Sequence, residues 1–168
     1  MPELAERVYN GVVDKSDWGD GAWQDEPDKV QWIDEATDLD CMIKRNAHLG
    51  NWCGYVAVPP GHPWHGLPCD DVDADVEVHG GLTYGSACQE DVPEAEGICH
   101  VPAPGRAADV WWFGFDCGHF MDLMPGLIAR ERQMGFPVPP ALLLAYRDVA
   151  YVRAECSALA AQLALVTA

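Results

Sequence analysis

The chain has 168 residues, and its 10 Lys+Arg against 27 Asp+Glu give a formal charge of −17. Such acidity excludes direct nucleic acid binding through phosphate neutralisation, and adhesion to anionic membrane surfaces. No apolar run approaches the ~18 residues of a membrane span, and 49% hydrophobic residues are enough for one core, so a single domain over 1–168 is expected.

The acid falls in two blocks. Ten acids and two bases lie between Asp14 and Asp40, and nine acids with no base between Asp70 and Glu96. Two solvated, solubilising loops are the plain reading, with mimicry of nucleic-acid phosphates a second. The run Asp70, Asp71, Asp73, Asp75 lacks the glycine and closing glutamate of a calcium loop. The N-terminus has no apolar signal core, which predicts a cytoplasmic protein. Seven cysteines, an odd number with no CxxC pair, read mostly as buried thiols. A metal-binding or nucleophilic role for one or two of them is the rival.

In chain order, Pro2 to Val8 is compatible with a short helix, and 1–27 is otherwise irregular, with Asp14 to Pro27 a loop rich in Asp, Gly and Trp. The strand-rich part spans 28–117. Lys29 to Asp34, Asp40 to Arg45 and Trp52 to Val58 alternate as strands, and their short connections predict an antiparallel meander. Four prolines between Pro59 and Pro68 exclude regular structure there. Val76 to His79 and Leu82 to Tyr84 are short extended pieces about Gly80-Gly81, and Ile98 to Val101 is another. Val110 to Asp116 is apolar on both faces and therefore a central strand. Val149, Val152, Cys156, Leu159 and Leu163 recur at three and four, which predicts a helix within 140–165. Strands followed by a long helix imply an α+β fold: an antiparallel sheet of five to six strands with the C-terminal helix on one face.

Three constellations carry chemistry. His62 and His65 sit three apart in the proline-rich loop, as metal ligands, ligand contacts or packing residues. His79-Gly80-Gly81-Leu82-Thr83-Tyr84 joins an imidazole, two hydroxyls and a backbone that a ligand can approach closely; a hairpin turn is the alternative. Asp116, His119 and Asp122 follow the central strand, where a rigid element delivers side chains. Asp and His at this spacing suit acid–base work by His79, Asp116 and His119. They suit a zinc-like divalent ion held by His62, His65, Asp116, His119 and Asp122 equally well. Asp116 or Asp122 capping a helix is the structural reading. Trp112 would wall a pocket and Arg106 would hold an anionic group. Cys117 close to His119, and Cys88 and Cys99 close to His79 and His100, allow a nucleophilic thiol. GxSxG, the P-loop and GxGxxG are absent.

The segments CGYVAVPPGHPWHG, VHGGLTYG, ICHVPAPG and VWWFGFDCGH, followed by YRDVAYVRAECSALAAQL, resemble a family of small proteins widespread in bacteriophage and bacterial genomes. The likeness runs from about Glu26 to Gln162. It implies a cytoplasmic protein of a bacterial host cell, often phage-encoded, and carries neither catalytic residues nor a mechanism.

Three functions follow as expectations. The first is a small-molecule pocket protein, sequestering a nucleotide-derived immune signal of the host as an anti-defence device. The second is a metal-dependent hydrolase on a similar small substrate, with a bound ion activating water. The third is an acidic partner that blocks a nucleic-acid-binding protein. Exposed histidines and tryptophans are equally compatible with a homo-oligomer face.

Overall fold

The computed structural model describes residues 6–72 and 75–167. Six strands form one antiparallel sheet: β1 (Arg7–Tyr9), β2 (Lys29–Ile33), β3 (Asp40–Arg45), β4 (Trp52–Val58), β5 (Tyr84–Ala87) and β6 (Trp111–Asp116). Their spatial order is β1-β2-β3-β4-β6-β5. The meander expected from Lys29 to Val58 is present, and β6 is central, between β4 and β5. Two helices follow, α1 (Pro125–Gln133) and α2 (Val149–Ala164), so the class is α+β. Among the described residues no helix is long and apolar enough to cross a membrane.

Alternation along the strands sorts the core onto two faces. Val30, Ile43, Val56, Phe113 and Phe115 point to one, where they meet Val152, Cys156, Leu159 and Leu163 of α2. Gly54 permits the close approach, since a Cβ there would collide with the Phe115 ring and come within 2.8 Å of Cys156 Sγ. Asp148 caps α2 by accepting the Tyr151 N–H at 2.9 Å. On the opposite face Met42, Tyr55, Ala57 and Trp112 are covered by Ile98 and Val110.

Several expectations change. Arg7–Tyr9 is a strand paired with β2 rather than part of a helix, and Pro2 to Ala5 lie outside the described residues. Asp73 lies outside them too. The last helix begins at Val149, nine residues past 140, because Pro139-Pro140 and a short 3-10 turn at Ala141–Leu143 precede it. Ile98 to Val101 is extended but joins no ladder; its backbone is held by Gln89 and Gln31 side chains. Tyr84 opens the edge strand β5, while Val78 to Gly81 form a turn closed by Gly81 N–H to Val78 O at 2.9 Å. Cys88 and Cys99 form a disulfide, whereas Cys41, Cys117 and Cys156 are buried thiols.

The first acidic block is in large part structural. Asp28 is buried, 2.8 Å from Lys15 Nζ and 3.4 Å from Arg45 Nε, and accepts the Val12 and Val13 N–H groups. Arg45, fully enclosed, stacks on Trp52 at 4.3 Å and reaches Glu26 and the Tyr146 hydroxyl. Asp38 and Asp40 grip Arg106. Asp28 and Asp40 are buried and pair internally, so they are withdrawn from any phosphate-like outer surface, whereas Asp38 stays exposed beside Arg106.

Candidate functional site

The end of β6 and the turn before β5 meet beside the first turn of α2. β6 delivers Asp116, and the chain then turns through Cys117 and Gly118 while Asp116 Oδ1 accepts the Gly118 N–H at 3.0 Å. The loop that follows is held against the segment before α2: Leu123 N–H donates to Ala145 O at 2.8 Å, and Ala145 N–H to Met121 O at 2.8 Å. That clamp fixes Asp122, which is buried.

Asp122 is the hub. His79 Nε2 donates to its Oδ2 at 2.7 Å, the His119 backbone N–H to the same oxygen at 3.0 Å, and Arg147 Nε to Oδ1 at 3.0 Å. Burial opposes the charge, but these donors outweigh it and hold the carboxyl below its ordinary range. With Nε2 of His79 donating to Asp122, Nδ1 is left to accept the Tyr151 hydroxyl at 2.8 Å. The His79 backbone N–H donates to Glu155 at 2.8 Å, and Arg147 stacks on Tyr151 at 4.7 Å. His79 is thus locked through both ring nitrogens.

His119 differs. Its Nε2 approaches Asp116 Oδ1 at 3.3 Å without hydrogen-bond alignment, and the other Asp116 oxygen accepts the Thr83 hydroxyl at 3.1 Å. Among the described residues no hydrogen bond is made by His119 Nδ1. A carboxylate lies beside an imidazole whose second nitrogen is open, an arrangement that can serve as a general base or a hydrogen-bonding anchor. The two imidazoles lie side by side, with centroids 6.0 Å apart.

This pair sits between two clefts. Asp116 lines one of about 350 Å³, with Asn51, Tyr55, Thr83, Tyr84 and Phe115. His119 lines the other, of about 460 Å³ and largely apolar, with Phe120, Met124, Leu127, Glu131 and Leu144. Neither cleft is lined by a lysine or arginine.

Of the residues expected from sequence, His79, Gly80, Thr83, Asp116, His119 and Asp122 come together, with Tyr84 in the polar cleft. Gly81 takes the turn at φ 79°. The others are elsewhere. His62 accepts the Trp64 N–H at Nδ1 (3.0 Å) and donates from Nε2 to Leu163 O (2.8 Å), clipping its loop to the end of α2. His65 reaches Asp109 O at 3.0 Å. Arg106 faces Asp38 and Asp40 in a separate cleft of about 240 Å³. Trp112 is fully buried on the sheet face away from α2. The metal set His62, His65, Asp116, His119 and Asp122 is therefore not gathered. Asp122 is occupied by its three donors, and among the described residues the three-ligand groups with converging donor atoms consist of Cys88, Cys99 and His100 alone.

Neither helix-capping reading fits, since α1 starts after Met124. The nearby thiols are poor nucleophiles. Burial, and then the Asp122 charge, pushes Cys117 well above the ordinary thiol range. Burial and Asp116 push Cys53 up to about 11. Tyr151, Arg147 and Glu155 complete the site without having been expected. The available signal was Tyr151 and Glu155 at i, i+4, off the apolar stripe of α2.

Comparison with protein families, with curated proteins and with solved structures finds no match to this chain.

Proposed function

We propose that the protein binds and holds a small neutral or cationic molecule in the polar cleft at Asp116, with Thr83, Tyr84 and Asp116 as recognition groups and His119 backing Asp116 from the adjoining cleft. The carrying observation is the lining: one carboxylate, two asparagines, hydroxyls and aromatic walls, without a cationic side chain. A ligand phosphate here would meet Asp116 and the chain's −17 field with no arginine to offset them. A nucleotide-derived signal, the ligand class expected from sequence, fits through its base and sugar, with any phosphate left in solvent. Sequestration needs binding alone, and a site held by a locked His79 and a capped Asp122 is preorganised for it.

Calorimetric titration with adenosine, adenosine monophosphate and spermidine separates the charge classes. Native mass spectrometry of the purified protein, with and without a chelator, weighs any retained molecule. Binding of the neutral or cationic probes, lost in Asp116→Asn, is expected. Preferential binding of the phosphorylated probe, or a bare chain mass together with no binding, overturns the reading.

The open Nδ1 of His119 favours a second reading, acid–base turnover of a ligand that reaches the adjoining cleft lined by His119, with His119 as base beside Asp116. Loss of bound ligand with time in the wild type but not in His119→Gln distinguishes turnover from holding.

A further inference from the structure

The segment between Cys88 and Cys99 forms a second centre away from the His–Asp cluster. Cys88 directly follows β5, and Cys99 and His100 return over the sheet face that α2 does not cover. The sulfurs of Cys88 and Cys99 and a ring nitrogen of His100 lie within 4.8 Å of one another, the Cys88 Sγ to His100 Nδ1 distance being 3.7 Å. The two Cα atoms are 4.5 Å apart.

The surroundings are built for these atoms. His100 is only 6% exposed and packs edge-on to Trp112 at 5.4 Å. Its Nε2 is buried without a hydrogen-bond partner among the described residues, while Nδ1 faces the sulfurs. Trp112 Nε1 donates to Cys88 Sγ at 3.3 Å, an outer partner that favours a negatively charged sulfur. Both cysteines are half-buried, so an ion can reach them. The loop they bracket carries Glu90, Asp91, Glu94 and Glu96, which concentrates cations at its mouth.

We propose that Cys88, Cys99 and His100 bind a zinc-like divalent ion when the two cysteines are thiolates, and that the disulfide and the ion exclude one another. Two thiolates and an imidazole suit a borderline-soft cation, with the fourth position left to water. Oxidation by a low-molecular-weight disulfide, RSSR, balances as thiol–disulfide exchange. One cysteine thiolate attacks RSSR, forms the mixed disulfide and expels RS⁻. The second thiolate attacks the cysteine sulfur of that bond and expels another RS⁻. The Cys88–Cys99 bond forms, RSSR gains the two electrons, and the ion leaves because its sulfur ligands have lost their charge.

The test uses full-length protein, reduced, stripped by chelator and titrated with zinc alone against a chromogenic chelator. One zinc per reduced chain is expected, and none on the oxidised chain. Cys88→Ser and His100→Gln should bind more than about 100-fold more weakly, beyond the loss of an outer partner. Cys69→Ser, a cysteine outside the site, should bind as the wild type does. No stoichiometric zinc on the reduced wild type, or undiminished affinity in folded Cys88→Ser and His100→Gln, overturns the proposal. If those variants do not fold, zinc-loaded wild type treated with oxidised glutathione decides. Release of one zinc with two glutathione thiolates, and a new bond mapped to Cys88–Cys99, is expected. Zinc retained after that bond forms, or zinc released with a bond elsewhere, overturns it.

Discussion

Gly80 lies flat against the imidazole of His119, so close that a Cβ at position 80 would run into Nε2, the nitrogen that faces Asp116. The backbone there has φ 70°, a left-handed conformation that costs an L side chain about 1–2 kcal/mol. Gly80→Ala therefore strains the turn and displaces the ring. The expected outcome is a loss of about 1–2 kcal/mol by denaturant unfolding, with ligand binding or turnover abolished. Unchanged binding would mean that the His119–Asp116 contact is not part of the site.

Asp122 links acid stability to the site. Its folded carboxyl titrates below the ordinary value of about 3.9, so its stabilisation is fully present above that pH and lost as pH falls through the folded value. Asp122→Asn removes the charge facing Arg147 and His79 and should cost about 3 kcal/mol at neutral pH. The gap between wild type and variant should shrink as pH is lowered below about 4. Urea unfolding of both proteins at pH 7 and pH 3 measures it.

Lys29 is fully buried and donates to the carbonyls of Glu94, Gly97 and Cys99, so one ammonium ties down the acidic loop. Lys29→Met leaves three carbonyls without that donor, at about 1 kcal/mol or more each. Limited proteolysis should cut the variant between Glu90 and Glu96 at protease levels that leave the wild type intact.

His62 separates packing from function. Its ring joins Trp64 to Leu163, so His62→Ala should lower stability by about 1–2 kcal/mol while ligand binding at Asp116 is preserved. The same substitution at His119 should do the reverse. Paired melting curves and titrations of the two variants check this.

Much of the scaffold was legible because each of its main elements keeps a single pattern from end to end. Val30 to Ile33, Cys41 to Ile43, Trp52 to Val58 and Trp111 to Phe115 are apolar and β-rich, and the α2 stripe repeats at three and four. β5 was illegible: Tyr-Gly-Ser-Ala has weak strand propensity and is a strand only because Trp111 to Gly114 pair with it. α1 begins Pro-Gly and has no clear apolar face, so its helical pattern is hidden. In the site, Asp116, His119 and Asp122 fall within one short segment, so spacing revealed them. Tyr151 and Glu155 meet His79 across more than seventy positions, a distance that only the tertiary fold closes.

The sheet order also sets when the site can exist. β2, β3 and β4 are sequential neighbours, joined by short connections, and can form early from local contacts. β5 has no partner until β6, synthesised later, has docked on β4 and offered its other edge. Docked β6 brings Asp116 to Thr83, while His79 still awaits Asp122 and Tyr151. A chain interrupted before Trp111 thus carries a nascent meander and no partial site, and recovery of binding during refolding should trail recovery of sheet signal.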